Sequence, residues 1–195
     1  ADLYGGSSGI ALFFAALATI TGREGWGDAA RRSLPPLDAA SIAALEPDSS
    51  RIGACTGRPS TAYALALIGH QLNDSAIVDR AVALASTTSE AAIDEDRLLD
   101  VEGGAAGALM TLLAINAYRP DARLVQLAER CVRRLLSAQI QSGPDRGAWQ
   151  AGVDGRARAG FAHGAAGIAC ALGRWLESRD DFAVLGAIGE AWAFE

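Results

Sequence analysis

The chain contains no lysine: all 17 basic residues are arginine, and they face 23 acidic ones, for a formal net charge of −6. The arginines form no basic stripe and are not interleaved with aromatics. Nothing therefore offers the phosphate neutralisation on which nucleic-acid affinity rests. Cysteine is scarce too. Cys55, Cys131 and Cys170 form no C-x-x-C pair and leave an odd thiol, which argues against a disulfide framework and points to a reducing, cytoplasmic compartment. The longest apolar run, Ile10 to Ala18, is about half of the ~20 residues a membrane span needs, and no basic segment precedes it as in a signal peptide. Aromatics make up only 6% of the chain, which counts against a carbohydrate-active α/α toroid, since such an enzyme needs aromatic sugar-stacking platforms beside its paired carboxylates.

What the sequence does have is a repeated Gly-x-x-small signal opening an Ala/Leu-rich stretch. The copies are Gly6-Ser7-Ser8-Gly9, Gly57-Arg58-Pro59-Ser60, Gly104-Ala105-Ala106-Gly107 and Gly164-Ala165-Ala166-Gly167. Their first residues are 51, 47 and 60 positions apart, the mark of tandem units each too small to bury its own apolar face. Four repeats follow, at about residues 1–50, 51–97, 98–155 and 156–195. With 195 residues, 50% of them hydrophobic, the chain has the apolar mass for one globular domain. The first signal begins five residues after Ala1, and Glu195 falls inside a helical pattern, Phe182 to Phe194; the chain is expected to be a piece of something larger.

Each repeat reads as two helices. The first is apolar nearly all round, as in Ile10 to Leu17, Thr61 to Leu72, Ala108 to Ala117 and Ile168 to Leu176, and is expected to be buried on most sides. The second is amphipathic. Between Ala122 and Ile140, Leu124, Leu127, Ala128, Cys131, Leu135 and Ala138 recur every three or four residues against Arg123, Glu129, Arg130, Arg133 and Arg134. Asp74 and Asp121 are candidate N-caps for the outer helices of repeats two and three. In the first repeat Pro35-Pro36 interrupts the outer segment, leaving a short helix from about Asp38 to Leu45. No strand pattern survives, so the fold class is all-α: a double layer of helical hairpins that curves into a solenoid or closes as an α/α toroid. The signal glycines are expected to let neighbouring backbones approach at a crowded centre.

Chemistry falls to the residues beside these glycines. The position before the aligned glycine is Gly5, Thr56, Gly103 and His163 in turn. Imidazole can serve as acid or base near neutral pH or ligate a metal, so His163 is the first candidate, against the plainer reading of a satisfied structural group. Four residues before the same glycine stand Asp2, Gly53, Asp100 and Gly160, which puts carboxylates on the rim that carries His163. Asp100 and Glu102 flank Val101; helix capping is the ordinary role of such acids. Cys55 shares the rim, but with His163 it makes only two of the three or four ligands zinc requires, so no metal site is assigned. Cys131 and Cys170 fall within helical patterns as small apolar residues, and His70 is structural or solvent-facing. Gln141 to Gly160, with five glycines and Trp149, reads as a long functional or disordered loop leading into His163. In it, Arg156 and Arg158 could meet an acidic peptide.

At these residues the chain resembles the lanthionine synthetase C-like family, and especially the cyclase domain of the class II, LanM-type lanthipeptide synthetases. Asp2-Leu3-Tyr4-Gly5-Gly6-Ser7-Ser8-Gly9-Ile10-Ala11-Leu12-Phe13 is similar to the family's opening D-L-Y-x-G-x-x-G-I-A-L-F, and Gly160-Phe161-Ala162-His163-Gly164-Ala165-Ala166-Gly167-Ile168-Ala169 to its G-F-x-H-G-x-x-G-I-A. Asp100-Val101-Glu102-Gly103-Gly104-Ala105-Ala106-Gly107 resembles its D-[IV]-x-x-G-x-A-G phrase.

The resemblance implies an α/α toroid, of which this chain would form about half as its N-terminal four repeats. It also implies closure of lanthionine and methyllanthionine thioether rings by addition of peptide cysteine thiols to dehydroalanine or dehydrobutyrine. The residues matching the family's proposed acid/base histidine and its assisting aspartate are His163 and Asp100. The family's zinc-binding phrases, W-C-x-G and an adjacent Cys-His pair, are not in this sequence: Trp192 precedes alanine, and no Cys-His dipeptide occurs. The implied Zn2+ belongs to the complete cyclase domain, and this segment alone is expected to be inactive. The implied partners are a dehydrated precursor peptide, the rest of the synthetase with its zinc half and a dehydratase domain, and further copies of this chain through exposed toroid edges. The alternative, from a different class, is a non-catalytic repeat module that binds peptide on its concave rim.

Overall fold

The computed structural model describes residues 2–34 and 51–194, and these form consecutive helical hairpins. Helix α1 (Ser7–Thr21) pairs with α2 (Glu24–Ser33), α3 (Arg58–Gln71) with α4 (Ser75–Ser86), α6 (Ala105–Tyr118) with α7 (Ala122–Ala138), and α8 (Ala165–Leu176) with α9 (Phe182–Phe194). A short helix, α5 (Glu90–Asp94), lies between the second and third hairpins and packs on α7. The first helices of successive hairpins pack side by side, α1 on α3, α3 on α6 and α6 on α8, and form the inner layer. The architecture is all-α, built of consecutive helical hairpins. The helix expected from Asp38 to Leu45 lies outside the described residues.

In three of the four repeats the inner layer is made possible by the second glycine of the signal; the second repeat has Ser60 at that place. A Cβ added at Gly9, Gly107 or Gly167 would overlap the carbonyl oxygen of Leu3, Val101 or Phe161 respectively, each six residues earlier in its own repeat. The chain therefore doubles back against the start of the helix that it has just begun, and only glycine allows it. Helices α3 and α6 are buried along most of their length, with Leu65, Ile68, Leu109, Leu112 and Ile115 fully enclosed. Each such side chain contributes about 1.5–3 kcal/mol relative to exposure. Helix α1 departs from the expectation. Only Ser8, Ala11 and Ala15 are buried, while Ile10, Phe13 and Ile20 are exposed; among the described residues, α2 and α3 are the helices that pack on it.

The outer helices start where the sequence says. Asp74 accepts from the N–H of Ile77 at 3.4 Å, and Asp121 from those of Arg123 and Leu124 at 2.8 and 3.3 Å, satisfying donors that the helix cannot pair internally. Helix α7 buries Leu124, Leu127, Ala128, Cys131, Val132 and Leu135, as its periodicity requires. Cys170, in contrast, is exposed on α8 rather than packed as a small apolar residue.

The segment expected as a loop before His163 carries structure of its own. Trp149 is buried and donates its indole N–H to the Leu135 carbonyl at 2.8 Å. Beyond it β1 (Gln150–Ala151) and β2 (Arg156–Ala157) form a two-residue antiparallel ladder, Gln150 opposite Ala157 and Ala151 opposite Arg156. Two residues per strand lie below what hydrophobic alternation can reveal.

Candidate active site

One backbone pattern wires the rim at the N-terminal ends of the inner helices. Tyr4, Cys55, Glu102 and Ala162 each stand two residues before the aligned glycine. The N–H of Tyr4 donates to the Cys55 carbonyl at 3.3 Å, that of Cys55 to Glu102 at 3.1 Å, and that of Glu102 to Ala162 at 3.4 Å. Each repeat is thereby stitched to the next in register, and the residue that follows, Gly5, Thr56, Gly103 or His163, arrives at an equivalent place. The acidic turn also repeats. Asp2 accepts from the Gly5 N–H at 2.7 Å, and Asp100 from the Gly103 N–H at 2.8 Å.

This register brings His163 to Asp100. The imidazole Nδ1–H donates to Asp100 Oδ2 at 2.7 Å, and the Asp100 side chain is only 3% exposed while that of His163 is 44% exposed. A buried carboxylate thus fixes the ring and its tautomer, and Nε2 points away from it. Nε2 is met in turn by Glu102 Oε2 at 3.0 Å. The structure thus brings together His163 and Asp100, which the sequence places on one rim; Glu102, named there only as a neighbour of Asp100, stands beside the other ring nitrogen.

A second acid, missed in the sequence, builds the turn that presents Asp100. Asp96 is buried and accepts from the N–H groups of Leu98 and Leu99 at 3.0 Å each and of Ala105 at 2.7 Å. Burial pushes its carboxyl above the usual range, partly offset by those three N–H groups and by Arg134. Arg134 also holds the Asp96 carbonyl through Nε and Nη2 at 2.9 and 2.6 Å. Leu99 is left-handed at φ 58°, a conformation a branched side chain adopts only where the surroundings impose it. Asp100 follows immediately, so its direction is set by the Asp96 cap.

The ladder of β1 and β2 closes the other side. Gly152 donates its N–H to the Leu98 carbonyl at 2.7 Å, and a Cβ there would stand 3.5 Å from Asp100 Oδ2 and 3.7 Å from the His163 Cβ. At the ladder's end Arg158 pairs with Asp154 at 2.7 Å, and Arg156 remains largely exposed. Cys55 lies on the same rim. Burial first, then the charges of Glu102, Asp100 and Asp2, pushes its thiol above the ordinary cysteine range, which disfavours the thiolate that a nucleophile or metal ligand must be. His70 is exposed and rests against Tyr118, the ring centroids 4.8 Å apart.

Between α3, α6 and α8 runs a groove of about 330 Å³, lined by Ala54, Tyr63, Met110, Leu113 and Ala114, with Arg174 and Glu177 at its edge. Ala54 is its lining residue nearest the rim in sequence, and from there the groove extends along the inner helices toward their C-terminal ends at Ala117 and Arg174.

The fold and site together define an all-α repeat protein of helical hairpins joined at a common rim, with one histidine on that rim held by a buried aspartate. The sequence model for lanthionine synthetase C-like proteins matches residues 1–195, and the chain belongs to that family. Membership implies a function of the lanthionine-cyclase type, acting on a peptide. No individual curated protein matches the sequence. No helix among the described residues is long and apolar enough to cross a membrane. The zinc that the family implies does not fit the residues present: Nδ1 of His163 is taken by Asp100, the Cys55 thiol is biased toward its protonated form, and among the described residues no three His, Cys, Asp or Glu side chains are grouped to hold a metal ion.

Proposed function

We propose that this chain supplies the proton-transfer rim of a lanthipeptide cyclase domain, of the LanM type, with His163 as acid/base and Asp100 as the residue that orients it. The observation that carries this reading is the 2.7 Å bond from His163 Nδ1 to a carboxylate with almost no solvent contact. It fixes Nε2 as the nitrogen that faces outward.

In ring closure the sulfur of a peptide cysteine bonds to the β-carbon of dehydroalanine or dehydrobutyrine, and the double-bond electrons move to the α-carbon and its carbonyl. The thiol proton leaves to solvent, and the α-carbon takes a proton from His163 Nε2, which then recovers one from solvent. A positioned imidazole is worth about 10²–10⁴-fold in such a step. Zinc, and with it thiol activation, belongs to residues outside these 195, as does any dehydratase domain.

The test is metal analysis of the purified chain together with cyclisation of a dehydrated precursor peptide, with and without added zinc. The reading expects no stoichiometric zinc and no ring formation above background from this chain alone. Stoichiometric zinc with ring formation would overturn that division of labour.

A further inference from the structure

The segment from Gln139 to Gly152 joins α7 to the ladder beside His163, and two buried polar side chains fasten it. Gln139, only 8% exposed, donates from Nε2 to the Gly147 carbonyl within the segment and to the Ala187 carbonyl on α9, both at 2.8 Å. Trp149 donates to the Leu135 carbonyl on α7. Between them the backbone closes on itself, the Gly147 N–H meeting the Ile140 carbonyl and the Ile140 N–H the Ala148 carbonyl, each at 2.9 Å. Gly147, at φ 89°, rests on α9 so closely that a Cβ would overlap the Glu190 carbonyl oxygen. The segment is therefore a strap tied to the outer helices of the third and fourth hairpins.

At its far end the strap meets the His163–Asp100 pair. Leu98, two residues before Asp100, is held on both sides: its N–H by Asp96 Oδ1 at 3.0 Å, its carbonyl by the Gly152 N–H at 2.7 Å. The side of Gly152 on which a Cβ would stand faces Asp100 Oδ2 at 3.5 Å, the same oxygen that accepts from His163 Nδ1. We propose that Gln139 and Trp149 are positioning residues for this pair: by fastening the strap they hold Gly152 against Asp100 and keep water off the Nδ1–Oδ2 bond. This deepens the proposed acid/base role and, for its consequence in catalysis, rests on it. A carbonyl that loses a buried donor must find water instead, so cutting either anchor loosens the strap. A hydrogen bond to a buried carboxylate is strong partly because its surroundings are dry, so a loosened strap weakens the hold on the ring.

The experiment follows the Nδ1-bound proton of His163 by ¹H–¹⁵N NMR and measures its exchange with water at one pH. The parent chain is compared with Gln139→Met, which keeps the length of the side chain without the donor, and with Trp149→Phe, which keeps a ring without the indole N–H. The expected result is exchange several-fold faster in each variant, with the amide protons of α6 and α8 exchanging as in the parent. Unchanged Nδ1-proton exchange in either folded variant overturns the proposal. So does a rise that the amides of α6 and α8 share, which would make general loosening of the fold the cause. The readout needs no catalysis, and it stands or falls separately from the acid/base reading, which fails only if cyclisation proves indifferent to His163.

Discussion

Asp100 Oδ2 lies 2.7 Å from Nδ1 of His163, the two residues being 63 positions apart in the sequence and in different repeats. Replacing the carboxylate by an amide keeps the shape but removes the charge and permits the wrong tautomer. In a cyclase in which residues 1–195 replace the matching segment of an active family member, Asp100→Asn is expected to lower the cyclisation rate by about 10–10²-fold. Combined with His163→Asn it should add nothing, since the two act as a unit. A measured double-variant loss equal to the product of the single losses would sink the pairing.

The three thiols differ in their surroundings, and alkylation reports it. Cys170 is exposed, Cys55 half-buried and Cys131 buried, so reaction with iodoacetamide at neutral pH should run in the order Cys170, Cys55, Cys131. The Cys55 thiol is pushed up by burial and by Glu102, Asp100 and Asp2. Its rate should therefore rise with pH along a curve displaced to higher pH than that of an ordinary thiol, and Glu102→Gln should move the curve back down. Peptide mass mapping against pH reads both effects.

Asp96→Ala removes the acceptor of three N–H groups, one of them at the start of α6, and frees Leu99 from its left-handed turn. The expected cost is about 2–3 kcal/mol in urea unfolding. The turn carrying Asp100 should loosen with it, so that grafted cyclase activity falls even under conditions where the protein remains folded. Unchanged activity in the folded variant would detach Asp96 from the site.

Two glycines of α8, Gly167 and Gly173, should respond to alanine in opposite directions. Gly167→Ala drives a methyl into the Phe161 carbonyl and should destabilise by about 1–3 kcal/mol. Gly173, inside α8, meets nothing within 4 Å of an added Cβ, and alanine there should stabilise by about 0.5–1 kcal/mol. Thermal unfolding of the two variants separates the roles.

Apolar side chains lie bare on the first and last hairpins: Tyr4, Ile10, Phe13 and Ile20 at one end, Phe182, Leu185 and Trp192 at the other. Light scattering on the isolated chain should show concentration-dependent self-association, reduced by Phe13→Ser with Trp192→Ser. A monomer at high concentration would contradict it.

The repeats, the outer-helix caps and the Asp100–His163 pair were legible because each rests on something local or periodic. Glycine spacing marks where backbones meet, Asp74 and Asp121 cap the residues immediately following them, and the aligned positions before the glycines land on one rim. Asp96 was not legible. It caps a helix beginning nine residues later, at Ala105, through a turn that depends on a left-handed leucine, and no propensity rule anticipates that. Glu102 could be seen beside Asp100, but two residues along an irregular turn could have pointed anywhere; the rim ladder decides its direction. The short ladder at Gln150 and Arg156 and the bare side of α1 depend on long-range packing, which no sequence pattern of that length carries.

The central claim is that His163 delivers the proton that completes the thioether. The most direct measurement is the cyclisation rate of a dehydrated peptide by the grafted cyclase carrying His163→Asn, run in deuterium oxide so that the label entering the α-carbon is read in the same sample. The account predicts a fall of about 10²-fold or more, with the remaining product losing stereochemical uniformity at the α-carbon. An unchanged rate with uniform labelling would contradict it and assign the proton to another group.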